Sequence, residues 1–179
     1  LADLGVSSHQ FDDPERGFST RFDGELDMRM NQDGDLSAKK IVNEYSEEEL
    51  SRILYEYGDL KKSRVIANRI VYTRTNAAIN TSQELKDAVK TLSPRNKENK
   101  FFAQIFQALR IEVNRELDAL KEFLSQSKEI LAPQGRLSVI SYHSLEDRLV
   151  KNWMRKGKFS GEVEKDFFGN QLTPYKIIT

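Results

Sequence analysis

Two short apolar segments, each followed at once by polar residues, constrain the fold of this 179-residue chain more than any other feature. The first is residues 1–6, Leu-Ala-Asp-Leu-Gly-Val, and the second is residues 136–142, Arg-Leu-Ser-Val-Ile-Ser-Tyr. Helical patterns lie between them and after the second one, an order typical of a parallel α/β sheet. Because parallel strands bring their carboxyl ends to one edge, where such sheets bind ligands, we predict a functional site where these two strands end.

Helical patterns occupy most of the sequence between the two strands. A long polar loop is expected over 7–36, and Ser46 and Thr81 each begin a capping box, with glutamate three residues later. From Phe101 the apolar residues follow the helical period, which predicts one helix of about thirty residues up to Pro133. The other expected helices run from Ser37 to about Tyr45, from Ser46 to Tyr57, from Leu60 to about Thr73 with Val65, Ile66, Ile70 and Val71 inward, and from Thr81 to Leu92.

The expected organisation has three parts. Residues 1–29 carry the first strand and a site loop, 30–98 form an inserted helical subdomain, and 99–179 complete the sheet domain. Ser144 and Asp147 have the spacing of a helix cap after the second strand. A last strand is expected near Lys176–Ile178.

Composition excludes several kinds of chemistry. There are no cysteines, which rules out disulfides, thiolate metal ligands and a cysteine nucleophile. The two histidines have no ligand-spaced partner, so no metal site is predicted, and neither a Gly-x-Ser-x-Gly elbow nor a phosphate-binding glycine loop occurs. No apolar run is long enough to span a membrane, and a cytoplasmic setting is expected. Chemistry based on positioning, hydrogen bonds and a bound cofactor remains.

The net charge of zero conceals an uneven distribution. Residues 1–58 carry 6 basic and 14 acidic side chains, whereas residues 59–110 carry 11 basic and 4 acidic ones, a net of +7. Clustered lysine and arginine residues supply most of the sequence-independent affinity of proteins for nucleic acids. The alternative is a solvated surface whose charges pair with the acidic first third, and the sequence leaves both open.

Polar residues follow both strands and form one candidate site. Asp3, Ser7, Ser8 and Gln10 are expected to face His143 and Ser144 across a single cleft at the strand ends. Each residue has a structural alternative, since Ser144 could cap its helix, His143 could be a hydrogen-bonded strand-end residue and Asp3 could hold a turn.

Five ordered segments resemble the MraW/RsmH family of methyltransferases. They are Asp3-Leu-Gly-Val-Ser-Ser8, Asp13-Pro-Glu-Arg-Gly-Phe18, Leu26-Asp-Met-Arg-Met30, Phe106-Gln-Ala-Leu-Arg-Ile-Glu-Val-Asn114 and Gly135-Arg-Leu-Ser-Val-Ile-Ser-Tyr-His-Ser-Leu-Glu-Asp-Arg148. The resemblance implies S-adenosylmethionine-dependent methylation of the N4 amine of a cytidine in the 16S ribosomal RNA of the small subunit. It also implies a Rossmann-like methyltransferase sheet with an inserted, all-helical, substrate-recognition subdomain.

The resemblance covers the middle and later parts of the family. In the family a glycine-rich cofactor loop precedes the Asp-Leu-Gly-Val-Ser-Ser strand and a basic segment follows the last helix, so the chain alone is expected to be inactive and to hold the cofactor poorly. Asp3 and Gln10 correspond to cofactor contacts, Asp3 near the adenine side. A DNA amino-methyltransferase is a distant alternative, because those enzymes have two prolines and an aromatic residue after the strand-end Asn or Asp.

The expected roles of the other site residues follow from the chemistry of a weakly nucleophilic amine. Ser7 and Ser8 would orient the amine, Phe18 or Tyr142 would stack on a flipped base, and His143 is a weaker candidate for a general base. Arg16, Arg29, Arg110 and Asn114 are candidate RNA contacts, with internal salt bridges as their alternative. A non-catalytic RNA- or ribosome-binding module is the second functional hypothesis, and the long two-faced helix leaves a homodimer open.

Overall fold

The structure is a computed structural model that describes residues 1–169, 172–173 and 175–178. Its described part is mainly helical and contains one two-stranded parallel sheet, which makes it an α/β protein as predicted. The strands are β1 (Ala2–Asp3) and β2 (Val139–Ile140), and the helices are α1 (Ser8–Asp12), α2 (Ala38–Glu44), α3 (Glu47–Glu56), α4 (Ser63–Asn76), α5 (Ser82–Val89), α6 (Glu98–Asn114), α7 (Glu116–Ile130) and α8 (Ser144–Lys156).

The chain divides into two compact units, which we describe separately. Val6–Arg115 forms a helical unit, and Leu1–Gly5 together with Glu116–Thr179 forms a unit that contains the sheet. The helical unit extends beyond 30–98 at both ends. The assignment of sheet and recognition roles to 1–29, 30–98 and 99–179 stays a prediction.

The helices of the helical unit begin where the sequence predicts. At α3 the Ser46 hydroxyl accepts the Glu49 N–H at 3.2 Å while the Glu49 carboxylate accepts the Ser46 N–H at 2.8 Å. Thr81 and Glu84 repeat this arrangement at α5. These reciprocal bonds satisfy N–H groups that the first helical turn otherwise leaves without partners, which is why short-range sequence patterns locate these helices correctly.

The core of the helical unit lies between α3, α4 and α6. Leu54 and Ile105 are fully buried there, and Ile66 is 1 % exposed. Helix α4 begins at Ser63, three residues later than predicted, and Asp59 before it takes a left-handed conformation with φ 52°. The prediction that Val65 points inward is wrong, since its side chain is 52 % exposed.

The prediction of one continuous helix from Phe101 is also wrong. Helix α6 ends at Asn114, and Arg115 takes a left-handed conformation with φ 49° before α7 begins. Asn114 is held by the loop around Met28, so the helix ends through a long-range contact. Because residue 115 is neither glycine nor proline, the apolar period runs across the break without a local signal.

The polar segment 7–36 is more ordered than a plain loop. It contains α1 and a short 3₁₀ turn at Pro14–Arg16, and it folds back on itself at two glycines. A Cβ atom at Gly17 would overlap the carbonyl oxygen of Glu25, and one at Gly24 would overlap that of Pro14. Glycine is therefore required at both positions so that the two backbone segments can approach.

The sheet unit confirms the parallel pairing of the two strand regions. Ala2 lies opposite Val139 and Asp3 opposite Ile140, and the Leu4 N–H donates to the Ile140 carbonyl at 3.1 Å. Each strand is shorter than the apolar segment of the sequence that contains it. Residues 175–178 contain no strand, so the prediction of a strand near Lys176–Ile178 is wrong. Helix α7 packs against α8. Within the described ranges no helix is both long and apolar enough to cross a membrane.

Candidate functional site

The ends of β1 and β2 bring Asp3 and Tyr142 together. The Tyr142 hydroxyl donates a hydrogen bond of 2.8 Å to Oδ1 of Asp3. Gly5 has φ 88°, and a Cβ there would lie 3.4 Å from the Tyr142 ring, which therefore rests against the β1 end. The bond to Asp3 and the negative charge of Asp3 raise the pKa of Tyr142, because a phenolate would adjoin a carboxylate. Oδ2 of the exposed Asp3 has no partner in the described part of the chain, so it remains available to a ligand.

His143 begins helix α8. Its Nδ1 accepts the Glu146 N–H at 3.4 Å, whereas Ser144 is the first helical residue and its hydroxyl is exposed. The alternative in which Ser144 caps this helix is therefore wrong, because the residue before it already fills that position. An Nδ1 that accepts a hydrogen bond leaves the proton of a neutral imidazole on Nε2. The geometry favours a positioning role for His143, since its side chain is only 10 % exposed.

Glu146 is a buried carboxylate that organises this strand end. Oε1 lies 3.2 Å from Nε2 of His143, and Oε2 accepts the Tyr142 N–H at 3.0 Å. Burial alone raises the pKa of Glu146, but the contact with His143 and the Tyr142 N–H outweigh it and lower the pKa below its ordinary value. The carboxylate therefore fixes the backbone at Tyr142, the residue that binds Asp3.

Glu116 completes a cluster with His143 and Glu146. One ligand-type atom from each of the three lies within 4.8 Å of the others, and this is the single such group within the described residues. Coordination of a metal through Nε2 would require the Nε2 proton to leave or the helix cap at Nδ1 to break. Because Nδ1 of His143 and Oε2 of Glu146 already hold the start of α8 and the Tyr142 backbone, these side chains fit a structural cluster better than a metal centre, and the absence of a metal site stays a prediction.

Ser7 and Gln10 form the start of helix α1 in the helical unit. The Ser7 hydroxyl accepts the Gln10 N–H at 3.3 Å, and the Gln10 Oε1 accepts from the Ser7 N–H and hydroxyl at 3.2 Å. This capping box leaves the Gln10 amide N–H₂ and the exposed Ser8 hydroxyl without partners in the described region. The nearness of Ser7, Ser8 and Gln10 to His143 and Ser144 stays a prediction.

The candidate RNA contacts Arg16, Arg29 and Asn114 hold a loop of the helical unit. Arg16 donates to the Arg29 carbonyl at 2.7 Å, and Arg29 donates to the Asp27 carboxylate at 2.5 Å. Asn114 accepts the Met30 N–H at 2.7 Å. The alternative of an internal salt bridge holds for Arg29, whereas Arg16 and Asn114 bind backbone groups, and the RNA-contact roles of all three stay predictions.

Phe18 and Arg110 also lie inside the helical unit. Phe18 belongs to the core and is 5 % exposed, so its ring offers no accessible face to a base. Arg110 is half-buried on α6, and its carbonyl accepts from Asn114. The base-stacking role suggested for Phe18 or Tyr142 is therefore open to Tyr142, which is 67 % exposed.

Sequence reasoning missed Glu116 and Glu146. Glu146 follows His143 at the spacing of a capping box, a local signal that could have identified it. Glu116 had no such signal, because it approaches the cluster through the packing of α7 on α8.

Comparison with known proteins settles the family. A family model described as the MraW methylase family matches residues 1–179, the full length of the chain. The chain belongs to the MraW methylase family. The resemblance predicted from five sequence segments is thereby confirmed.

Curated members of the MraW family resemble the chain along nearly all of its length. Proteins named ribosomal RNA small subunit methyltransferase H from Flavobacterium johnsoniae, Bacteroides thetaiotaomicron and Cytophaga hutchinsonii are 60 %, 57 % and 53 % identical to it over 178 residues. Each alignment covers 99 % of this chain and 59 % to 60 % of the relative. The chain therefore spans about three fifths of the length of these relatives.

Proposed function

We propose that this chain is part of an S-adenosylmethionine-dependent methyltransferase that modifies the N4 amine of a cytidine in 16S ribosomal RNA of the small subunit. Family membership and the names of the relatives support this reaction class. In this proposal β1 and β2 belong to a larger Rossmann-like sheet, because an isolated two-stranded sheet is only marginally stable in water. The proposed substrate implies a cytoplasmic setting, and the non-catalytic binding module has no observation that favours it over the enzyme.

The exposed Asp3 carboxylate at the end of β1 is the observation that carries the proposal. Ligands of α/β sheets bind at the carboxyl ends of strands, and Asp3 lies there with one oxygen bound by Tyr142 and the other available. Glu146 in turn fixes the Tyr142 backbone. A carboxylate oriented by two successive hydrogen bonds is suited to binding a donor group of a ligand at a defined position.

The residues present fit S-adenosylmethionine through complementary hydrogen-bonding groups. Asp3 supplies an acceptor for an amine or hydroxyl, and the Gln10 amide supplies donors, because its oxygen is already used in the capping box. When bound, the cofactor would contribute an electrophilic methyl group. Asp3 and Gln10 would hold it, and the remaining residues would position the amine.

Positioning is the main task left to the protein, since the cytosine amine is weakly nucleophilic and methyl transfer is an in-line displacement. The exposed Ser8 and Ser144 hydroxyls are acceptors that could orient the amine hydrogens. The exposed Tyr142 ring could stack on the base. His143 keeps the Ser144 end of α8 in place through its cap, and the amine proton leaves to water.

A methylation assay tests the proposal. The polypeptide at the full length of its relatives is incubated with S-adenosylmethionine and small subunits that lack the modification, and the nucleosides are analysed by mass spectrometry. N4-methylcytidine in the RNA is the expected product. Its absence, with a folded protein and intact subunits, would refute the proposed reaction.

Asp3→Ala tests the proposed cofactor contact within the same enzyme. We expect weaker binding of S-adenosylmethionine by calorimetry, whereas the matched control Asp35→Ala, which removes an exposed carboxylate from a turn, should leave the affinity unchanged. Tyr142→Phe retains the ring and removes the bond to Asp3, so a smaller loss is expected. An Asp3→Ala affinity equal to that of the control would eliminate the contact.

A further inference from the structure

Most basic side chains of the middle third of the chain form no ion pair with the acidic first third in the part that the structure describes. Asp27, Glu25 and Glu56 pair with cations of the first third itself, and Asp23 of the first third interacts electrostatically with Lys86 of the middle third. The pairing alternative raised by the sequence therefore accounts for only a minority of these basic side chains. Basic side chains that remain exposed in the helical unit are available to an external anion.

The eleven basic residues of 59–110 separate into two groups. Arg74 donates to the carbonyls of Val42 and Tyr45 at 2.7 and 2.6 Å, Lys86 donates to the Thr20 carbonyl at 3.1 Å, and Arg110 is half-buried. The remaining eight are exposed and form no ion pair within the described ranges; they are Lys61, Lys62, Arg64, Arg69, Lys90, Arg95, Lys97 and Lys100.

Four of these eight lie near one another in the chain, Lys61 and Lys62 just before α4 and Arg64 and Arg69 on the exposed side of that helix. Its buried residues are Ser63, Ile66, Ala67 and Ile70, which leaves Arg64, Val65, Arg69 and Tyr72 outward. Val65 and Tyr72 are seven residues apart and thus lie on one stripe, with Arg69 beside it. Val65 is 52 % and Tyr72 is 66 % exposed. We call Lys61, Lys62, Arg64, Val65, Arg69 and Tyr72, together with Tyr55 of α3, the α4 surface.

A groove of about 830 Å³ runs between α3 and the first turns of α4. Lys61, Lys62 and Arg64 line the groove together with Tyr55, which is 64 % exposed. Glu47 and Glu48 also line the groove, and Glu47 accepts a hydrogen bond of 2.9 Å from the Asn68 amide. The groove thus offers cations, an exposed aromatic ring and carboxylate acceptors.

We propose that the α4 surface binds a single-stranded segment of RNA. Single-stranded nucleic acids are bound by cationic grooves that follow the phosphates and by aromatic rings on which bases stack. Lys61, Lys62 and Arg64 would contact phosphates, and Tyr55 and Tyr72 would stack on bases. The two glutamates that line the groove would accept hydrogen bonds from exocyclic amines. An acidic peptide matches the cations but gives the two exposed rings no stacking partner. The inference rests on the proposed function for the identity of the RNA, and its test does not require methyl transfer.

The test is binding of a fluorescently labelled, single-stranded mixed-sequence oligoribonucleotide to the 179-residue chain without cofactor. Each phosphate contact with a single strand changes the slope of log K against log salt by about 0.7. Lys61→Gln combined with Arg64→Gln should therefore flatten the slope by about 1.4 and weaken binding about 25-fold at 0.1 M salt. Tyr55→Ala should weaken binding about 5- to 150-fold, and Tyr55→Phe should restore it, because stacking needs the ring and not the hydroxyl.

The matched control removes two exposed lysines from the sheet unit, as Lys128→Gln with Lys151→Gln. If both double variants lost the same affinity for the single-stranded RNA, the proposal would be overturned. It would also be overturned if duplex RNA or heparin bound as tightly as the single strand and Tyr55→Ala had no effect on the affinity. Circular dichroism verifies that each variant is folded, which is expected because all the altered side chains are exposed. A failed methylation assay with these binding results intact would refute the proposed reaction and leave the RNA-binding surface standing.

Discussion

Replacement of Asn114 by alanine should destabilise the helical unit more than its half-buried position suggests. The side-chain amide donates to the carbonyls of Met28 at 2.8 Å and Arg110 at 2.9 Å, and its oxygen accepts the Met30 N–H at 2.7 Å. One side chain therefore joins the end of α6 to a segment more than eighty residues earlier in the chain. Alanine removes all three bonds and leaves the backbone groups of Met28 and Met30 without these partners.

The magnitude follows from the number of bonds. A net contribution of about 1 kcal/mol for each hydrogen bond gives a loss of about 3 kcal/mol, and access of water to these half-buried groups lowers it to about 2–3 kcal/mol. With a urea dependence of about 2 kcal/mol per molar, the unfolding midpoint should fall by about 1–1.5 M.

The assay is urea unfolding followed by far-ultraviolet circular dichroism, which reports mainly on the helices. Trp153 is the single tryptophan and lies in the sheet unit, so its fluorescence follows the other unit separately. Asn99→Ala makes the same replacement at an exposed position of the same helix and should leave the midpoint unchanged or slightly raised, because alanine favours helix. A midpoint for Asn114→Ala within about 0.3 M of this control, well below the shift that three hydrogen bonds imply, would refute the reasoning.

Three further predictions concern stability. Ile105→Ala, at a fully buried position of α6, should cost about 2–5 kcal/mol in urea unfolding, and a loss below 1 kcal/mol would contradict its place in the core. The lowered pKa of Glu146 stabilises the fold above its unfolded pKa of about 4.3, and this stability is lost as the pH falls through the folded pKa. Glu146→Gln should therefore flatten the acid dependence of unfolding seen by Trp153 fluorescence, and an unchanged dependence would contradict this. Gln134 has the left-handed φ of 66° in a turn that is closed by the hydrogen bond from the Gly135 N–H to the Ala132 carbonyl. Gln134→Gly should therefore raise the thermal stability by about 0.5 kcal/mol, and Gln134→Val should lower it. The opposite order of stabilities would show that this conformation is not strained.

The parts of the fold that the sequence predicts correctly are those decided within a few residues. The capping boxes at Ser46 and Thr81 satisfy N–H groups of the next turn, so their pattern is complete in four residues. The pairing of β1 with β2 is a longer-range success, because two apolar segments separated by helices have few alternatives to parallel pairing.

The errors occur where distant residues decide the local structure. The break at Arg115 carries no local signal, since Asn114 is held by the loop at Met28 and Met30. The inward prediction for Val65 failed because the buried stripe of α4 is formed by Ile66, Ala67 and Ile70, and Val65 lies about 100° from Ile66 around the helix. Glu116 likewise joins His143 only through helix packing.

The candidate RNA contacts also show the difference between local signals and long-range contacts. A sequence motif can indicate that an arginine is important, but it does not indicate which group that arginine binds. Arg29 uses its guanidinium on Asp27 and on the carbonyls of Gln32 and Gly34, at 2.5–2.7 Å. A guanidinium already bonded in this way has few donors left for phosphate, whereas Lys61 and Arg64 have no ion pair in the described ranges.

This difference predicts opposite effects for two sets of variants. Arg29→Gln should lower the urea midpoint, because it removes an ion pair and two backbone hydrogen bonds, and it should change the affinity for single-stranded RNA no more than the Lys128→Gln and Lys151→Gln control. Lys61→Gln with Arg64→Gln should weaken RNA binding and leave the midpoint unchanged. Both variants are measured in the two assays under the same conditions. If Arg29→Gln instead weakened RNA binding while keeping its stability, the loop at Asp27 would be the RNA contact and the internal bonds of Arg29 would be secondary.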